Sequence, residues 1–290
     1  MSVAGETSSR EDLLILADLT LAAYLRYLAA YGGAVHEENG VLLFAGAHRQ
    51  PNPYRNGLLR LDERTSAPEA LEMARRFFGE RRSGFALWAR EHGDADLEAS
   101  ALDARLHELE RLPELVLEEL PEYVAPPDGV EIRRASDERS REDYLAIVAE
   151  AWGMGDMPRE VASRVFFDPD SLDVPEVAGF VAYYDDRPLS AAMTLVAHGV
   201  ALGCQAATIR RPKRGQRLPP PAPRGEQRRG LAESCLWEAL ALSFRELGAR
   251  ISLCQTSNLG APVWLGLGYR PFTTYARYLV PAPAGAGARR

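Results

Sequence analysis

The spacing of apolar and polar positions changes period repeatedly along this chain, and each change marks an element. After Ser9, the residues Leu14, Leu21, Tyr24, Leu25 and Leu28 recur on one broad helical face. Ser9 with Asp12 three positions on predicts the start of that helix, and Gly32-Gly33 its end. "AVHEE" and "VLLFAGAH" flank Asn39-Gly40, a pair that accepts the positive φ angles of a two-residue turn and so predicts a hairpin. The strand "GLLRL" leads to a helix with Pro68 in its first turn. "GFALWAR" reads as a strand, Asp94 or Asp96 as the cap of a further helix, and "ELVLEEL" as another strand.

"PEYVAPPDG", Pro121 to Gly129, interrupts both periods and reads as a linker. Beyond it the pattern starts again. "GVEIRRA" is a strand, "REDYLAIVAEAW" an amphipathic helix, and "PREVASRVFF" lies in a shorter helix. The strands "VAGFVAYY" and "PLSAAMTLVAH" turn about Asp185-Asp186-Arg187, and Gly199 starts the strand "VALGCQAATIR". A long helix then carries Leu236, Leu240, Phe244 and Leu247 on one face and stops at Gly248. "RISLCQ" is a buried strand, "GAPVWLGLG" a short helix and "YRPFTTYARYLV" a last strand. Both halves follow the order helix, hairpin, third strand, helix, strand, helix, strand. The expected class is α/β of the α+β type, with two mixed, mostly antiparallel sheets flanked by helices. Residues 1–124 and 125–280 form the two domains, and 281–290 a disordered low-complexity tail.

Charge changes this picture in one place. The chain carries a formal −7, yet the stretch Arg210 to Arg229 holds eight basic residues against Glu226 alone, a local +7 that leaves −14 elsewhere. One basic stripe on an acidic chain suits a local anionic ligand better than a nucleic-acid coat, and no aromatics interleave it for base stacking. Lys213 is the single lysine, so part of the arginine richness reflects coding bias. Cys204, Cys235 and Cys254 show neither a metal-ligand nor a disulfide spacing, and the five histidines are scattered. These features predict no metal and a reduced, cytoplasmic setting. Asp18 and Arg26 interrupt the apolar stretch Leu13 to Ala30, which reads as too short and too charged to span a bilayer.

The basic stretch ends in Gln227-Arg228-Arg229-Gly230-Leu231-Ala232, at a strand-to-helix junction. A helix N-terminus offers unpaired amides and partial positive charge, Gly230 and Ala232 leave room for a phosphate, and Arg228 and Arg229 add charge. An ordinary helix start with solvated arginines is the competing reading. Gln227, Gly230 and Ala232 match the Q/R-x-x-G-x-G/A loop of the GCN5-related N-acetyltransferase (GNAT) superfamily, and Leu267-Gly268-Tyr269 stands where that family has its "LGF" or "LGY". The chain resembles this family from Val130 to Val280, and more weakly, as a degenerate copy, over the first 120 residues.

The resemblance implies acyl transfer from acetyl-CoA to a primary amine of a small molecule, by direct attack in a ternary complex, with a homodimer as a further option. It implies coenzyme contacts at Ala207, Thr208, Gln227 to Ala232, Ser257 and Asn258, with a backbone amide near Ala206 to Thr208 polarising the thioester oxygen. His198 is the nearest titratable candidate to the central strand; Tyr269 or Tyr275 would stand in as acid. Trp152 and Met154 are candidate acceptor-pocket residues, and Cys204 reads as a small buried hydrophobe. Two departures oppose activity: Arg210 to Pro223 is inserted before the loop, and Trp264 replaces the tyrosine the family often uses as acid. A catalytically lapsed binding or interaction module is therefore the alternative.

Overall fold

A computed structural model of the chain describes residues 9–31, 33–46, 54–151, 169–209, 229–258 and 260–282. The chain divides into two compact units, Met1–Glu114 with Phe272–Arg290, and Leu115–Pro271.

The first unit begins with helix α1 (Arg10–Ala30), where Ser9 and Asp12 cap each other's backbone amides. By length and composition this helix would reach across a membrane, contrary to the expectation from Leu13 to Ala30. Its charged interruptions are paired: Asp18 accepts from Arg90, and Arg26 donates to Glu37. Leu21, Ala22, Leu25 and Ala29 pack into a core cluster with Phe44, Leu59 and Trp88. Strands β1 (Ala34–Glu38) and β2 (Val41–Ala45) form the hairpin, turning on Asn39 and Gly40 at φ 49° and 76°. Strand β3 (Asn56–Arg60), helix α2 (Ala67–Arg81) and β4 (Phe85–Arg90) form a parallel crossover, followed by α3 (Ala95–Asp103) and β5 (His107–Leu117).

Two features of this unit differ from the sequence pattern. Asp94 precedes α3 but makes no side-chain cap, because its carboxylate accepts from Arg60 and Arg90 instead. Strand β5 starts at His107, well before "ELVLEEL"; its first residues are mostly exposed and polar and carry no apolar alternation to betray a strand. The strand that completes this unit comes from the far end of the chain. Strand β11 (Arg270–Val280) pairs antiparallel with β4 from Tyr275↔Arg90 to Val280↔Phe85. The strand order is β1-β2-β3-β4-β11-β5.

The second unit repeats the plan. Its described elements are β6 (Val130–Arg134), α4 (Glu138–Ala151), a short 3-10 turn, β7 (Val177–Tyr184), β8 (Arg187–Ala197), β9 (Val200–Thr208), α5 (Arg229–Arg245), β10 (Ile251–Gln255) and α6 (Ala261–Gly266). The order is β10-β9-β8-β7-β6, antiparallel except for the β9–α5–β10 crossover. Pro121 and Tyr123, in the stretch that reads as a linker, lie on α5: Trp237 donates to the Pro121 carbonyl at 3.0 Å, and the Tyr123 ring meets Trp237 edge-on. Leu231, Cys235, Leu236 and Leu240 of α5 pack with Ala201, Cys254, Trp264 and Tyr269 as the core on one face of the sheet.

Candidate functional site

The second unit has a place where two parallel neighbours part. Strands β9 and β10 pair from Ile251↔Val200 to Cys254↔Gly203, and there the ladder stops. Strand β9 continues to Thr208, paired there with β8 and with no other strand among the described residues. Ile209 N donates to Leu189 O at 3.0 Å, and antiparallel bonds alternate. The amides of Ala206 and Thr208 therefore point to the side from which β10 has diverged.

A bulge helps shape this corner. Thr194 pairs with Gly203 and Met193 with Gln205, leaving Cys204 as the extra residue. Without it, Gln205 would follow Ala201 and Gly203 onto the α5 face. With it, Gln205 turns to the opposite face, where Tyr144 of α4 donates to its Oε1 at 2.9 Å. Period-two alternation along "VALGCQAATIR" would put Gln205 on the other face, so nothing in the sequence joins it to Tyr144. Gln255 likewise carries no signal in the sequence. It is the residue after the last β10 pair, and its Oε1 and Nε2 are both buried with no partner among the described residues.

On the α5 face the Trp264 indole lies against β9. A β-carbon on Gly203 would stand 2.3 Å from the ring, so only glycine admits it. Trp264 meets Tyr269 edge-on, with centroids 5.1 Å apart. Tyr269 is buried, its hydroxyl 2.6 Å from Ser252 Oγ, and burial raises its pKa well above the ordinary tyrosine range. Tyr275 belongs to the first unit, where it donates to Asp18 at 2.7 Å.

The other sequence candidates are spread unevenly. Ala207 and Thr208 lie on the unaccompanied part of β9, and Thr208 shares a 2.9 Å hydroxyl contact with Ser190. Gly230, Leu231 and Ala232 form the first turn of α5, after Arg229 at its start. Ser257 and Asn258 are exposed in the turn between β10 and α6, where the Ser257 carbonyl accepts from Gly260 and Ala261. His198 does not join them. It sits exposed at φ 55° in the β8–β9 turn, ten strand residues from Thr208, which is about 30 Å at the rise of a β-strand. Gln227, Arg228, the Arg210 to Pro223 insertion, Trp152, Met154 and "PREVASRVFF" lie outside the described residues. Among the described residues no cluster of His, Cys, Asp and Glu suits a metal.

The matching corner of the first unit is chemically different. The β3–β4 ladder runs to Leu59↔Trp88, and the residues beyond it are locked in ion pairs. Arg60 donates to Asp94 at 2.7 Å and pairs with Asp96, while Arg90 donates to Asp94 at 2.7 Å and to Asp18 at 2.8 Å. At the start of α2, Glu69 accepts from the Ser66 amide at 3.1 Å and hydroxyl at 2.7 Å. That helix start thus holds its own carboxylate, which repels a phosphate, whereas the first turn of α5 holds no acid.

Neither a family model nor a curated protein matches the chain in sequence. Solved structures match in fold. A GCN5-related N-acetyltransferase from Kribbella flavida aligns with TM-score 0.64 at 17% identity, over 92% of this chain and 96% of its own. A tandem GNAT protein from the clavulanic acid biosynthesis pathway aligns with TM-score 0.57 at 12% identity, over 98% of each chain. A GCN5-related N-acetyltransferase from Sphaerobacter thermophilus gives 0.54 at 12% identity, over 96% of this chain and 95% of its own. The chain has the GNAT fold, in a tandem arrangement.

Proposed function

We propose that the second unit is an acyl-CoA-dependent N-acyltransferase, passing an acetyl group from acetyl-CoA to a primary amine of a small molecule. The observation that carries this is the parting of β9 from β10 after Gly203 and Cys254, with an acid-free helix start following β9. The likeness to GNAT folds supports it. In this reading the backbone at Gln227 to Ala232 holds the pyrophosphate, and the pantetheine arm lies along Ala207 and Thr208 with Ser257 and Asn258 near its end. The Ala206 and Thr208 amides are the candidates to polarise the thioester oxygen. The amine nitrogen bonds to the acyl carbon as the C–S bond breaks. Sulfur leaves with the electron pair and takes a proton, and the amine proton passes to water. The first unit is a degenerate copy that does not use coenzyme, and the setting is cytoplasmic.

Calorimetry with CoA, followed by free-thiol release from acetyl-CoA across an amine panel, tests this. Micromolar CoA binding and amine-dependent thiol release are expected; a folded protein that does not bind CoA overturns the proposal. Trp264 favours a second reading, CoA binding without turnover, because an indole at this place has no useful proton for a leaving thiolate.

A further inference from the structure

We propose that the side-chain carboxamide of Gln255 reads the acceptor, selecting amines with a neighbouring carbonyl, such as amino-acid amides and peptide N-termini, over plain alkylamines. The proposal rests on the transfer reading above. Three observations lead to it. Gln255 is the first residue beyond the last β9–β10 pair, so it borders the opening between the strands. Cys254 packs into the cluster of α5 and Trp264, and alternation along β10 turns Gln255 to the other face, the face of Gln205 and Tyr144. Both polar atoms of its amide are buried, and neither has a partner among the described residues.

A buried carboxamide without hydrogen bonds lowers the stability of the fold, whereas an apolar side chain of the same length would not. The residue therefore has the character of a group kept for a ligand. An amide offers an acceptor, Oε1, beside a donor pair, Nε2. Its complement is a donor beside an acceptor, as in an amine one carbon removed from a carbonyl. Oε1 would accept one amine N–H while Nε2 donates to the carbonyl. That grip leaves the nitrogen lone pair free to turn toward the thioester. Gln205 does not compete for this role, since its Oε1 is already taken by Tyr144 at 2.9 Å. Gln255 is neutral at every pH of interest, so its part is to hold the acceptor and not to deprotonate it.

Gln255→Met keeps the length of the side chain and removes both polar atoms. Its thermal midpoint is expected to equal or exceed that of the unaltered protein; a drop of several degrees would mean that the carboxamide supports the fold, and would overturn the proposal. Acetyl-CoA turnover is then measured with glycinamide and ethylamine as paired probes. The ratio of kcat/KM for glycinamide to that for ethylamine should fall by about tenfold or more in Gln255→Met, with CoA affinity unchanged. Equal ratios in the two proteins overturn the proposal while leaving acyl transfer intact. Failure of the unaltered protein to bind CoA instead overturns the transfer reading.

Discussion

Gly203 and Trp264 share one space: the indole of Trp264 occupies the position that any side chain at Gly203 would need, 2.3 Å from its β-carbon. The close approach fixes Trp264 against β9 at the last residue pair before β10 departs. Gly203→Ala should cost about 1–3 kcal/mol, as overpacking in a dense core does. In a Trp264→Tyr background the smaller ring should recover much of that loss, giving a coupling measurable by urea unfolding of the two single variants and the double.

Gly230 offers a way to separate fold from coenzyme. A β-carbon there meets Pro127 at 3.5 Å, ordinary contact distance, so Gly230→Ala fits. At this first-turn position the substitution should leave the fold at least as stable as before, because alanine favours a helix over glycine. If a pyrophosphate lies on this backbone, CoA affinity should fall at the same time. Calorimetry and thermal unfolding on one preparation read both directions.

Asp94 neutralises two buried arginines, Arg60 and Arg90, at 2.7 Å each. Its removal leaves both with less than their full complement of carboxylate. Asp94→Ala should destabilise the first unit by about 3–5 kcal/mol, the usual cost of breaking a buried pair from one side. Chemical denaturation checks it, followed by tryptophan fluorescence, to which Trp88, fully buried in this unit, contributes.

Burial holds the hydroxyls of Tyr269 and Tyr275 well above the ordinary tyrosine value of 10.0. Below that pH, folded and unfolded chains both keep these protons, and stability does not depend on them. Above it, the unfolded chain loses protons that the folded chain retains, so stability falls as pH rises. Each residue contributes a slope of about 1.4 kcal/mol per pH unit. Tyr269→Phe and Tyr275→Phe should each flatten the alkaline limb of a stability profile by about that amount.

Strand β11 brings Tyr275, Arg277 and Tyr278 into the first unit, all three buried. A chain ending after Pro271 lacks the partner of β4 and exposes an apolar edge. That truncation should lose the unfolding transition of the first unit and aggregate, which calorimetric scanning and light scattering would detect.

The framework of the candidate site can be read from residue order alone. The helix that begins with Gly230 and Ala232 and the strands on either side of it carry local signals, because turns and caps demand particular residues, whereas the approach of Trp264 to Gly203 shows only in the fold. Gln205 and Gln255 carry none. The face of Gln205 depends on the bulge at Cys204, and the isolation of the Gln255 amide depends on where a neighbouring strand stops.

The sequence by itself determined the elements, their order and their repetition, since hydrophobic period, caps such as Ser9 with Asp12 and turns such as Asn39-Gly40 act over a few residues. Only the tertiary structure decided which strand completes which sheet. By sequence β11 closes the second half, yet Tyr275 to Val280 pair with β4 of the first. Strand pairing is a long-range choice, made by whichever edge offers a matching ladder and buries the most surface, and no local pattern in "YRPFTTYARYLV" records that edge.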